Sequence, residues 1–135
     1  MRKRQKYPQL RNAMERGYGI IFTAKQLDEL AKGDRRLQRD LRDDCTDTAV
    51  REVFSTLVVW DVLGRGRYWP CMGEGSDAAL SFQLEFYPAA RRAGYKIPDY
   101  ILGSLAQMRD VRVQKLKKEV TEAQAEIKRL GMETF

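Results

Sequence analysis

The sequence predicts a mainly α fold, with α+β as the alternative. It is read as a small helical domain around a buried central helix at about residues 48–63, with one or two short strands at about 18–22 and 80–87 and a long C-terminal helix at about 98–130. Three observations predict it. Val50, Val53, Phe54, Leu57 and Val58 recur at the i, i+3, i+4, i+7, i+8 spacing of a helix face. Val113, Leu116, Val120, Ala123, Ile127 and Leu130 recur at alternating steps of three and four, which is a heptad seam. Segments rich in capping residues separate these stretches.

With 135 residues the chain has room for one domain, 1–135, and can bury a core without disulfide or metal staples. Apolar residues are 43% and charged residues 33%, with 4 prolines, the balance of a folded chain and not of a disordered one. Cys45 and Cys71 are the only cysteines, which excludes a disulfide framework and a four-cysteine zinc site within one chain; both read as buried or inert thiols. Residues 1–6 carry the charge of an export signal, but Tyr7-Pro8-Gln9 stands where its apolar stretch belongs. The most apolar run, 53–63, is broken by Ser55, Thr56 and Asp61 and falls far short of the roughly 20 residues that span a bilayer. A cytoplasmic protein without a membrane segment is expected.

The elements follow in order from local signals. Residues 1–16 read as a basic arm, and 17–22, apolar and framed by glycines, as a brief strand or extended entry. Thr23 and Gln26 form a capping box for a short helix over 24–32 closed by Gly33. Asp34 caps a further helix over 35–42 whose only apolar pair, Leu37 and Leu41, predicts that it lies outside the core. Asp43, Asp44 and Asp47 read as cap residues. The helix over 48–63 is apolar nearly all round, as a buried helix is, and ends at Gly64. Asp61 shares its apolar face and, if buried, requires an arginine or hydrogen-bond donors. Residues 65–77, rich in glycine, form the one long irregular loop. Leu80, Phe82, Leu84 and Phe86 alternate with polar neighbours and predict a strand; a helix capped at Ser76-Asp77 and stopped or kinked at Pro88 is the other reading. Pro88–Ala93 reads as a short helical turn, and Pro98-Asp99 opens the last helix. Ile101, Leu105 and Met108 form a stripe distinct from the seam, so the helix starts packed in the domain and projects from it over 109–130.

Chemistry is bounded by an absence. The chain has no histidine, which removes Ser-His-Asp and Cys-His nucleophiles and histidine-ligated zinc. It has no phosphate loop and no dinucleotide-binding glycine pattern, so no cofactor is expected. Pro98-Asp99 and Glu126-Ile-Lys128 spell a restriction-type nuclease motif, but about 40 Å of helix would separate the two carboxylates.

Charge points to binding. The net charge is +6, and residues 1–16 hold six basic side chains against Glu15 alone. Arg65, Arg67, Tyr68 and Trp69 interleave guanidiniums with aromatic rings, which suits phosphate pairing and base stacking as well as plain core packing. The candidate contact residues are Arg2, Lys3, Arg4, Lys6, Arg65, Arg67, Tyr68, Trp69, Arg91 and Arg92. The expectation is a non-enzymatic accessory protein that binds nucleic acid or a nucleoprotein complex through phosphates. The alternative is a protein-binding regulator or inhibitor, of the phage or plasmid type, acting on a nucleic-acid-processing partner. The seam Val113, Leu116, Val120, Ala123, Ile127, Leu130 predicts a homodimer.

Overall fold

A helix that is apolar on most sides must be covered from several directions, and that requirement organises the chain. The computed structural model describes residues 5–64 and 77–131. Among them are six helices: α1 (Pro8–Tyr18), α2 (Ala24–Leu30), α3 (Arg35–Arg42), α4 (Thr48–Leu63), α5 (Asp77–Arg92) and α6 (Asp99–Arg129). The fold is mainly α. Helix α4 touches α1, α2 and α5, while α3 rests on α2 and α6 on α5. Phe54, Val58 and Val59 of α4 are fully buried, each removal from water stabilising the fold by about 1.5–3 kcal/mol. The cover is not complete, because Val53 and Trp60 face solvent.

Several expectations are corrected. Half of the supposed arm is helix α1: Pro8 sits at its first position, and Leu10 and Met14, four apart, are buried on α4. Residues 18–22 do not form a strand; α1 closes at Gly19 in the left-handed region, and one antiparallel bridge, Ile21 to Lys96, follows. Residues 80–87 are not a strand either, but the middle of α5. The period of two there is a product of two helical faces. Phe82 and Phe86, four apart, are buried and stack at 5.4 Å, while Leu80 and Leu84, also four apart, lie half-buried on an adjoining face. A helix sandwiched between α4 and α6 needs both faces. It also runs through Pro88 to Arg92 without stopping. Helix α3 belongs to the core after all, since Leu37 and Leu41 are buried and two leucines one turn apart suffice for so short a helix.

The capping chemistry matches the spacing. Thr23 Oγ1 accepts from Gln26 N and Gln26 Oε1 from Thr23 N, at 3.1 and 2.9 Å, and Asp34 accepts from Arg36 and Leu37. Asp61 is exposed, so burial does not demand a partner, yet Tyr95 Oη donates to it at 2.7 Å, and the Tyr95 ring meets Phe22 edge-on. Tyr87 Oη donates to the Tyr18 carbonyl at 2.7 Å, tying α5 to the end of α1.

That junction is tight at Gly19. Its φ is +68°, and an added Cβ would stand 2.9 Å from Tyr87 Oη and 3.0 Å from Ile101 Cδ1. Gly33 has a similar φ of +83° with nothing within 4 Å. Gly33→Ala therefore carries only the backbone cost, about 1–2 kcal/mol, whereas Gly19→Ala adds overpacking and should lower unfolding free energy by about 2–4 kcal/mol. Equal losses in urea titrations would rule out the close-approach account.

The tyrosines set the alkaline limit. Burial first, and then the hydrogen bond to Asp61, raises the Tyr95 hydroxyl well above its ordinary value; burial raises Tyr87; the hydrogen bond to Asp28 pushes Tyr7 up to about 12. In each case the unfolded chain releases the proton first. The stabilisation is thus whole below about pH 10, where a free tyrosine titrates, and is lost as pH rises toward the folded values. Thermal melts should show a midpoint that falls above about pH 10, with a shallower fall in Tyr7→Phe.

Candidate functional site

Helix α1 has a polar as well as an apolar face, and the polar one borders a groove. Gln9, Asn12, Ala13, Arg16 and Gly17 line it from α1, with Thr46 and Arg51 opposite, around an open volume of about 560 Å³. No carboxylate is among these lining residues. The α1 contribution follows from sequence spacing, since 9, 12, 13, 16 and 17 share one side of a helix whose adjoining side buries Leu10 and Met14.

What brings the two walls together is Asp44. The first N–H groups of a helix lack partners within it, and Tyr7, at the cap position of α1, supplies no side-chain acceptor. Asp44 supplies both: Oδ2 accepts from Gln9 N and Oδ1 from Leu10 N, each at 2.9 Å, from 35 and 34 residues away. Asp44 has a left-handed φ of 49°, a conformation that aspartate tolerates better than most residues. Of the three aspartates expected to cap, Asp44 does so, though across the fold and not in the next helix. Asp47, at the cap position of α4, makes no such bond.

Arg51 is held in place at the other wall. Its Nε donates to the Thr46 carbonyl at 2.9 Å and its Nη2 to Thr48 Oγ1 at 3.1 Å. Nη1 is left beside Gly17, 3.6 Å from where a methyl group at that glycine would stand. The guanidinium is therefore pre-organised and aimed at the α1 backbone. Arg16, in the last turn of α1, is exposed. Two guanidiniums, two carboxamides and a hydroxyl make a donor-rich surface suited to an anion with several oxygens.

The residues expected from sequence fare differently. Arg2, Lys3, Arg4, Arg65, Arg67, Tyr68 and Trp69 lie outside the described residues. Lys6 is exposed just before α1. Arg91 and Arg92 are exposed in the last turn of α5, where positive charge complements the helix dipole, and they do not line the groove. Sequence reasoning counted Arg16 only as arm charge and missed Gln9, Asn12, Thr46 and Arg51. One signal was available for Arg51: it is a cation in the opening turns of α4, where the helix dipole disfavours it.

Among the described residues no group of three His, Cys, Asp or Glu is placed to hold a metal, and no helix is long and apolar enough to cross a membrane. Cys45 is a free thiol, partly buried against the core. No protein-family model matches the chain, and neither the curated proteins nor the solved structures give a significant match.

If Asp44 sets the groove, its variants should be graded. Asp44→Ala leaves two α1 N–H groups without their acceptor and should cost about 1–2 kcal/mol, measured by urea unfolding. Asp44→Asn keeps one acceptor oxygen and tolerates the left-handed backbone, and should lose about half as much. Equal loss in both variants, or none in either, would contradict the double cap.

Proposed function

We propose that this protein is a non-enzymatic accessory protein that binds nucleic acid, or a nucleoprotein complex, mainly through phosphate contacts, with the α1/α4 groove as part of its contact surface. The observation that carries the reading is the presence of Arg16 and Arg51 in a groove with no carboxylate among its described lining residues, on a chain of net charge +6. Guanidiniums match phosphate oxygens two at a time. Carboxamides and hydroxyls, here Gln9, Asn12 and Thr46, are the usual neutral donors to phosphate and sugar. Arg2, Lys3, Arg4 and Lys6 shortly precede α1 in the chain and add positive charge for a polyanion to meet. Such contacts position a protein on a backbone and carry little base information.

A second reading, a protein-binding regulator or inhibitor, is favoured by Trp60, which is 55% exposed on α4; exposed tryptophans are enriched at the energetic centres of protein interfaces. The two readings respond differently to charge. Replacing Arg2, Lys3, Arg4 and Lys6 by glutamate abolishes nucleic-acid retention under the first and only slows association under the second.

The direct test is binding to single- and double-stranded polymers across a salt series. Affinity should fall steeply with salt, and Arg16→Glu should lower the slope of log K against log salt by roughly 0.7–0.9, the value of one phosphate contact. Absence of binding at low salt sinks the reading.

A further inference from the structure

Three surfaces lie uncovered among the described residues. On α6, Val113, Leu116, Val120, Ile127 and Leu130 are exposed, and Ala123 with them. On α4, Val53 and Trp60 face solvent. Both surfaces are apolar, and nothing in the fold names what covers them. The α1/α4 groove differs, because its donors are already arranged and call for a particular kind of acceptor.

An arginine carries about five N–H donors in one fixed plane. Two of those on Arg51 are used within the protein: Nε donates to the Thr46 carbonyl at 2.9 Å and Nη2 to Thr48 Oγ1 at 3.1 Å. What is left is the outer end of the fork, both hydrogens of Nη1 and one of Nη2, which suits two oxygens of a single acceptor. The two internal bonds also fix the side chain, so little rotamer freedom remains to be lost on binding. Among the described residues neither Arg51 nor Arg16 has an ion-pair partner.

Gly17 keeps that end open. It is exposed near the end of α1, and Arg51 Nη1 is the one atom within 4 Å of where its Cβ would stand, at 3.6 Å. Its φ lies outside the left-handed region, so the backbone does not demand a glycine, and glycine weakens a helix relative to alanine. Resting on the nucleic-acid reading of this groove, we propose that one backbone phosphodiester sits on the Nη1 and Nη2 end of Arg51 beside Gly17, its two non-bridging oxygens shared with Arg16 from α1. Gln9 stands two helical turns from Arg16, about 10.5 Å, which matches about three nucleotides at about 3.4 Å of rise each. The strand therefore runs along α1 and meets the carboxamides of Asn12 and Gln9 as neutral donors. A free phosphate ion shares the chemistry of the seat but reaches only one end of this surface. No aromatic side chain is among the described lining residues, so the bases stay outside the groove.

Fluorescence anisotropy of a labelled duplex and a labelled single strand, with the full chain at low salt, tests the seat. Gly17→Leu changes no charge and should weaken binding to both polymers at least about tenfold, as loss of a charge-assisted fork does. Gly103→Leu, at an exposed helical glycine with nothing within 4 Å, should bind like the wild type. Arg51→Lys keeps the charge but not the fork and should lose about as much as Gly17→Leu. If thermal melts show that Gly17→Leu does not fold, Gly17→Ala takes its place, and its single methyl beside Nη1 should weaken binding about threefold. Inorganic phosphate should displace the duplex no better than sulfate at equal ionic strength; stronger displacement means a site for the free ion and overturns the proposal. Unchanged affinity in a folded Gly17 variant overturns it too, while leaving nucleic-acid binding in place, and so does a loss confined to the single strand, which would put a base in the groove. A wild type that binds neither polymer removes the nucleic-acid reading itself and the seat with it.

Discussion

The groove depends on one carboxylate. Asp44 sits in the turn between α3 and α4 and closes both leading N–H groups of α1, an end that otherwise has no side-chain cap. This contact stands in for local capping and at the same time sets where α1 enters the fold. Arg11 reinforces it from the same helix, its Nε donating to the Phe22 carbonyl at 2.7 Å, and Tyr7 does so through Asp28. Contacts from three side chains thus hold α1 against the fold, where it packs on α4. Each Asp44 oxygen accepts from a backbone donor at the positive end of α1, where a carboxylate is favourably placed. The groove beside it keeps the positive character of Arg16 and Arg51.

The central helix imposes the second constraint. With apolar residues on most of its surface, α4 has to be covered by α1, α2 and α5 at once, and this leaves little freedom in how the chain closes. Its last turns are tied by Asp61 to Tyr95, beyond α5. Helix α5 is then required to be apolar on two sides, one for α4 and one for α6, which is why its sequence alternates like a strand. Pro88 is tolerated inside it, since tertiary packing of Phe86, Tyr87 and Ala90 outweighs one missing backbone hydrogen bond.

Two surfaces of unlike chemistry result. One is concave and donor-rich, assembled from α1 and the opening of α4. The other is a single helix carrying an exposed apolar seam. The first suits a strongly hydrated anion that exchanges water for guanidinium contacts; the second suits a surface that removes methyl groups from water. They sit on different helices, so binding at one need not disturb the other.

What the sequence determined by itself was whatever rests on neighbours within a few turns: the mainly α class, the bounds of α4 with its stop at Gly64, the capping box of Thr23 and Gln26, the cap at Asp34, and the reach of α6. Each follows from spacing or from a side chain bonding a backbone group three residues away or fewer. Tertiary structure alone decided that Leu80 to Phe86 is helix, because an alternating pattern fits both a strand and a helix buried on two faces, and only the presence of α4 and α6 on either side selects between them. It alone placed Leu37 and Leu41 in the core. The groove was the least legible feature. Gln9, Thr46 and Arg51 come from segments about 40 residues apart, and the bond that joins them, from Asp44 to the start of α1, spans 34 and 35 positions of chain; periodicity carries no information at that separation, since it records which side of one helix a residue takes and not which other helix lies beside it.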